Sequence, residues 1–228
     1  MQWLRSTLEL FYPPLCCGCD THLSDRLDIL CASCRLMLPY LPIATSESNE
    51  IKSKFYGKLV VQHCASVLAF GEDSITQNML HQLKYQKQQA VSDFIGLLAW
   101  QRLQHLPIFN WAACIVPIPL HPSKERQRGY NQLDGFGVYL SKMTGLPYFK
   151  DYLIKTVKSD TQTKKNLIER ADNIKGFVLN PKYQSSKERR ILLIDDVITT
   201  GATLEAAGKC VLDKNDNQIS ILTMACVK

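Results

Sequence analysis

Two adjacent carboxylates, Asp195 and Asp196, stand where an apolar run gives way to a hydroxyl-rich loop, within ILLIDDVITTGATL at 191–204. The loop Thr199, Thr200, Gly201, Ala202, Thr203 runs straight into an expected helix. The first N–H groups of a helix lack internal partners and sit at the positive end of its dipole, so they favour a phosphate. Threonine hydroxyls add donors, and Gly201 allows backbone angles and a close approach that a side chain would block. The two carboxylates can accept hydrogen bonds from the hydroxyls of a ribose. Neighbours in a regular strand face opposite sides, so both reach one sugar only if the strand ends here; otherwise one supports the loop. Each part alone fits an ordinary strand-to-helix turn with a threonine cap, but all of them in this order point to a sugar-phosphate site.

A second block, VPIPLHPSKERQRGYNQ at 116–132, ends an apolar run at Pro119 and carries Lys124, Arg126 and Arg128 towards Gly129. Read as a basic loop at a strand edge, it suits a pyrophosphate, which needs directed, charge-assisted hydrogen bonds. A solvated basic loop has the same composition. A third block, TQTKKNLIERADNIKGF at 161–177, fits either a lid over a polyanion or a surface helix–turn. His121 beside the basic block reads as a plain loop residue.

Five of the nine cysteines fall before residue 45, four of them as the C-x-x-C pairs Cys16/Cys19 and Cys31/Cys34. Such knuckles can set four thiolates tetrahedrally around structural Zn2+. Free or redox thiols are the alternative, Cys17 could replace a neighbour, and His22 is a weaker alternative ligand. The odd count excludes a complete internal disulfide set. Cys64, Cys114, Cys210 and Cys226 sit in apolar runs and read as core residues.

The elements that must position these groups are read from periodicity. Leu4, Leu8 and Phe11 suggest a short amphipathic helix before Pro13. Residues 46–58 are polar and read as a linker between a module at 1–45 and a larger domain at 59–228. Within that domain, strands are expected at 62–70, 114–120, 190–197 and 219–227. Helices are expected at 74–83, at 92–106 with Ser92 as N-cap, at 131–143 and at 203–212. The alternation argues for an open, mostly parallel α/β sheet, whose ligands bind at the carboxyl edge. At 46% apolar residues the chain can bury a core, which excludes disorder. No apolar run approaches the roughly 18–20 residues that span a bilayer, so membrane insertion is not expected. Arg5 and Glu9 interrupt any signal-peptide core, and a cytoplasmic location is expected. The formal charge is +6, yet residues 124–190 hold 15 Lys or Arg against 7 Asp or Glu, an excess of +8 that could attract phosphates.

VITTGATL after two acids is similar to the phosphoribosyl-pyrophosphate motif of type I phosphoribosyltransferases. LKY at 83–85, VPIPLHP…RGYNQ, TQT…L…ER..N..GF and IDDVITTGATL together resemble the ComF/GntX family of phosphoribosyltransferase-like proteins. The resemblance covers nearly the entire chain in the same motif order. It implies a type I phosphoribosyltransferase fold with an N-terminal zinc ribbon. It also implies that Asp195 and Asp196 contact ribose, and that residues 199–203 hold the 5′-phosphate. Any catalysis would displace pyrophosphate from the anomeric carbon by a nitrogenous acceptor, with Mg2+ beside the diphosphate. The family's link to competence and DNA uptake implies single-stranded DNA and competence helicase-type proteins as partners. Three expectations stand side by side: a phosphoribosyl transferase, a non-catalytic protein sensing phosphoribosyl pyrophosphate or holding single-stranded DNA, and a structural adaptor. Fold alone does not choose among them.

Overall fold

The computed structural model describes residues 13–25, 27–43, 50–156, 176–183, 190–213 and 216–227. The helix expected before Pro13 lies outside the described residues, and so do 157–175 of the polar stretch 155–175, with most of the third block.

The elements run α1 (Ala32–Leu36), α2 (Glu50–Ser53), β1 (Cys64–Phe70), α3 (Ile75–Tyr85), α4 (Ala90–Leu103), α5 (Pro107–Trp111) and β2 (Cys114–Pro117). They continue with α6 (Pro122–Arg128), α7 (Leu133–Thr144), β3 (Leu153–Lys155), β4 (Phe177–Leu179), a 3-10 turn (Pro181–Tyr183), β5 (Arg190–Ile198), α8 (Ala202–Leu212) and β6 (Gln218–Val227). Four strands form one sheet in the order β1-β6-β5-β2. All three pairings are parallel, as expected for helix-covered strands with near-continuous apolar runs. Ile191, Leu192, Leu193 and Ile194 of β5 are fully buried, and β6 pairs on both sides. The short β3 and β4 make a separate antiparallel pair.

Three expectations change on contact with the structure. Ser92 is not an N-cap: α4 starts at Ala90, and Ser92 lies buried in its first turn. Its hydroxyl instead donates to Gln132 O at 2.5 Å and accepts from Phe136 N at 2.8 Å, so it bridges the first turn of α7. The two helices approach closely because Gly135 faces Ser92; a Cβ at Gly135 would lie 2.9 Å from the Ser92 Cβ.

The basic block is not a loop. Residues 122–128 form α6, with Pro122 in its first turn, His121 as N-cap accepting from Ser123 N at 3.3 Å, and Gly129 closing it at φ +81°. Proline just inside a helix start and glycine just past its end are helix signals, though they read as loop punctuation from sequence.

The stretch read as a linker, where described, folds into α2 and a tight turn and buries Phe55 at 1% exposure. Lys54 Nζ donates to Val227 O at 3.2 Å. The cysteine-rich segment also meets the sheet. Leu41 N donates to Val67 O at 3.1 Å, Ala69 N donates to Pro39 O at 2.7 Å, and Arg102 stacks 4.2 Å over the Tyr40 ring. Among the described residues, no helix is long and apolar enough to cross a membrane.

Candidate functional site

β5 and β2 lie side by side and end at the same edge, and the segments leaving their carboxyl ends enclose one cavity of about 230 Å³. Its walls include Asp195, Asp196 and Thr203 from the β5–α8 segment. From the other side come Lys124 and Arg128 of α6 and Asn131 and Gln132 ahead of α7, with Lys84 from α3 and Lys155 from β3 completing it. Asp195 and Asp196 thus both reach the cavity although they are neighbours on a strand, the geometry that the sequence left open. Asp195 Oδ1 accepts from Asp196 N at 2.9 Å, and Asp196 Oδ1 accepts from Val197 N at 2.6 Å.

Gly201 adopts φ +82° as the N-cap of α8, and its Cα faces Phe55, whose Cε1 would sit 3.0 Å from a Cβ there. Any side chain at 201 therefore meets both backbone strain and a buried ring. Thr199 and Thr200 are exposed on the loop, Ala202 N donates to Thr200 Oγ1 at 3.4 Å, and Thr203 lines the cavity. Arg126 is exposed and lines a separate surface depression with Pro122, Glu125 and Gly129. Of the two arginines named from sequence, Arg128 is the one at the cavity wall.

Sequence reasoning gave Lys84 no role. Its Nζ lies 2.6 Å from Asp196 Oδ2, with both side chains 23% exposed. The tripeptide 83–85 ties three parts of the site together: Leu83 O accepts from the Tyr130 hydroxyl, Lys84 pairs with Asp196, and the Tyr85 ring lies 5.6 Å from the Arg128 guanidinium. Helical period gave no signal for Lys84, since a lysine off the buried Met79, Leu80 and Leu83 stripe is ordinarily a solvated one. Gln132 was also missed. Arg128 donates to its Oε1 at 2.8 Å, which leaves Nε2 buried with no protein partner among the described residues. A fixed, unpaired donor at a cavity wall is suited to an acceptor on a ligand.

Burial, and next the Asp196 charge, push the Asp195 carboxyl up to about 8, while Lys84 and Lys155 oppose the shift. Among the described residues, four cations and two acids thus face one small space, which suits a ligand with several negative charges and neighbouring hydroxyls.

At the other end of the chain, the Sγ atoms of Cys16, Cys19, Cys31 and Cys34 all lie within 4.8 Å of one another. Tetrahedral Zn–S bonds of about 2.3 Å need sulfurs roughly 3.8 Å apart, and Cys19 Sγ and Cys31 Sγ are separated by 3.8 Å. This four-cysteine cluster can hold a metal such as zinc. Gly18 N and Cys31 N both donate to Cys16 Sγ, at 3.4 and 3.2 Å, as thiolate ligands favour. Cys17 lies outside the group, and burial pushes its thiol up to about 11, the mark of a core residue. His22 is likewise not part of the group.

No family model matches the chain. It is 24% identical to Competence protein F of Haemophilus influenzae over 94% of this chain and 98% of that protein. It is 34% identical to Competence protein ComFC of Bacillus subtilis over 44% of this chain, and to Competence protein ComFC of Streptococcus pneumoniae over 41%. Those two matches span only 38% and 39% of the respective relatives. The likeness to Competence protein F over nearly the whole chain, with the local likeness to the two ComFC proteins, supports grouping the chain with the ComF proteins.

Proposed function

We propose that the chain binds phosphoribosyl pyrophosphate with Mg2+ in the cavity at the end of β5 and β2, and that it acts in competence for natural transformation. The observation that carries the reading is the convergence of Asp195, Asp196 and Thr203 with Lys84, Lys124, Arg128 and Lys155 on one 230 Å³ space. Asp195 and Asp196 accept hydrogen bonds from the ribose hydroxyls. Thr199, Thr200, Gly201, Ala202 and Thr203, at the N-terminus of α8, hold the 5′-phosphate. Lys84, Lys124, Arg128 and the free Gln132 Nε2 face the diphosphate. Among the described residues the cavity offers two carboxylates, which fits a Mg2+ held largely by ligand oxygens. When bound, that ion neutralises the diphosphate.

As a transferase, the protein would align a nitrogen of the acceptor with the anomeric carbon. The N–C bond forms while the C–O bond to diphosphate breaks, and the diphosphate departs with the electron pair. Cationic side chains fixed at the diphosphate end stabilise the growing charge without reorganising. Release of pyrophosphate from phosphoribosyl pyrophosphate and Mg2+, screened across free bases and single-stranded oligonucleotides, tests this step. Saturable binding by calorimetry tests the site itself, and its absence at millimolar ligand overturns the reading.

A second reading, direct binding of single-stranded DNA, is favoured by the excess of +8 over residues 124–190 and by the exposed Arg126 on α6. Affinity should fall with salt, each phosphate contact adding about −0.7 to the log–log slope. Phosphoribosyl pyrophosphate should compete if DNA phosphates occupy the α6 surface, and neutralising Arg126 and Arg128 together should then weaken both ligands. Fluorescence anisotropy with a labelled oligonucleotide decides it. No binding at low salt with micromolar protein means that a role in DNA uptake runs through a partner, a helicase-type competence protein being the one the family association suggests.

A further inference from the structure

Asp195 sits at the end of a row of hydroxyls that cross the sheet. It pairs in register with Thr223 of β6, and Thr223 pairs with Ser66 of β1. Register partners on adjacent strands project from the same face and stand about 4.8 Å apart. Thr223 is fully buried and Ser66 is 5% exposed, and neither hydroxyl has a hydrogen-bond partner among the described residues. Their surroundings are apolar: Ile221 and Ala225 flank Thr223 on its own face of β6, and Cys64 and Leu68 flank Ser66 on β1. Valine at 223 or alanine at 66 would nearly keep the shape without the hydroxyl, and a buried hydroxyl without a partner is costly.

We infer that Thr223, backed by Ser66, is a positioning residue that donates to the Asp195 carboxylate when ligand hydroxyls engage it. The inference rests on the ribose-binding reading above. In the free protein, burial and the Asp196 charge oppose ionisation of Asp195, and Lys84 and Lys155 favour it, with Lys124 and Arg128 also on the cavity wall. Ribose hydroxyls donate best to an ionised carboxylate, so the site must stabilise a charge that it disfavours when empty. A rotation about the Thr223 side chain supplies one donor from behind, and Ser66 can donate in turn to Thr223, each bond polarising the next. Thr223 itself touches no ligand; it holds the group that does.

Thr223→Val keeps shape and removes the hydroxyl. We expect it to melt at or above the wild-type temperature, yet to bind phosphoribosyl pyrophosphate with Mg2+ at least tenfold more weakly by calorimetry. Thr223→Ser, which restores the hydroxyl, should bind within about twofold of wild type, a rescue that a packing role would not produce. Ser66→Ala provides a second variant, with a loss of about threefold expected from the outer member of a polarised pair. Wild-type affinity in both Thr223→Val and Ser66→Ala overturns the inference. Where Asp195→Ala with Asp196→Ala still loses binding, that outcome leaves the ribose site intact; where it too binds like wild type, the ribose site itself is misassigned.

Discussion

Replacing Asp195 and Asp196 together by alanine is expected to weaken phosphoribosyl pyrophosphate binding by more than tenfold, about 1.5–3 kcal/mol. Two opposing effects are at work. The variant loses both acceptors for the ribose hydroxyls, and each hydroxyl entering the cavity then goes unpaired. It also frees Lys84, which in the unliganded protein is held 2.6 Å from Asp196. A partly exposed ion pair is worth only about 0–1 kcal/mol, so the released lysine offsets a minor part of the loss.

The same variant has a pH signature. Asp195 is raised from 3.8 to about 8 by burial first and Asp196 second, so the folded protein binds a proton more tightly than the unfolded chain. Linkage then sets the sign: this contribution is full below the unfolded value and declines as pH rises from about 4 to about 8. As pH rises over that window the wild type should therefore lose stability relative to the alanine variant. Binding should also release a proton near neutral pH if the ribose requires the ionised carboxylate. Unchanged affinity in the variant would mean that the ribose lies elsewhere.

Loss of the metal from the cysteine cluster should have the second large effect. Purified without chelator, the protein is expected to carry one zinc per chain. Cys31→Ser with Cys34→Ser should abolish it. The cluster lies at the centre of its segment: Cys16 and Cys34 are buried, and a Cβ at Gly18 would already lie 3.0 Å from Cys34 Sγ. Leu30 and Ile75 pack beside it, yet four thiolates must converge for the segment to close, so the free energy of metal binding adds directly to the folding free energy of this region. The fully buried residues of β5 and β6 should keep the parallel sheet folded, with the contacts of Tyr40 and Leu41 to β1 and α4 weakened. Metal analysis and limited proteolysis give the two readouts. Protein purified without chelator that contains no zinc overturns the prediction.

The sheet and the acid–loop–helix segment were legible because their signals are local. Ile191, Leu192, Leu193 and Ile194 form an unbroken apolar run, Ser74 caps α3 by accepting from Gln77 N, and Gly201 sits where a positive φ is required. The features that stayed hidden depend on partners distant in the chain. Ser92 has the composition of a cap, but a closely packed α7 redirects its hydroxyl. Phe55 lies in a polar stretch, and only the fold reveals that it is buried beneath the loop at Gly201. Lys84 stands on the polar side of an amphipathic helix, where a solvated lysine is the ordinary expectation, and its value comes from Asp196 more than a hundred residues later. α6 differs from these, since its boundary residues Pro122 and Gly129 are plain in the sequence but carry two meanings, loop punctuation and helix ends.

The central place of β6 also dictates when the protein can become itself during synthesis. β1, β2 and β5 are all translated first, yet β1 has no strand of the sheet to pair with until β6 inserts between it and β5. A nascent chain emerging as far as α8 carries both acids and the whole Thr199–Thr203 loop, but on a strand whose flank towards β6 is open and unpaired. The proposed ligand site is thus encoded early and completed only when β6 is in place. Chains released before β6 should collect in aggregates or on chaperones, and they should fail to bind phosphoribosyl pyrophosphate although every residue proposed to contact it is present.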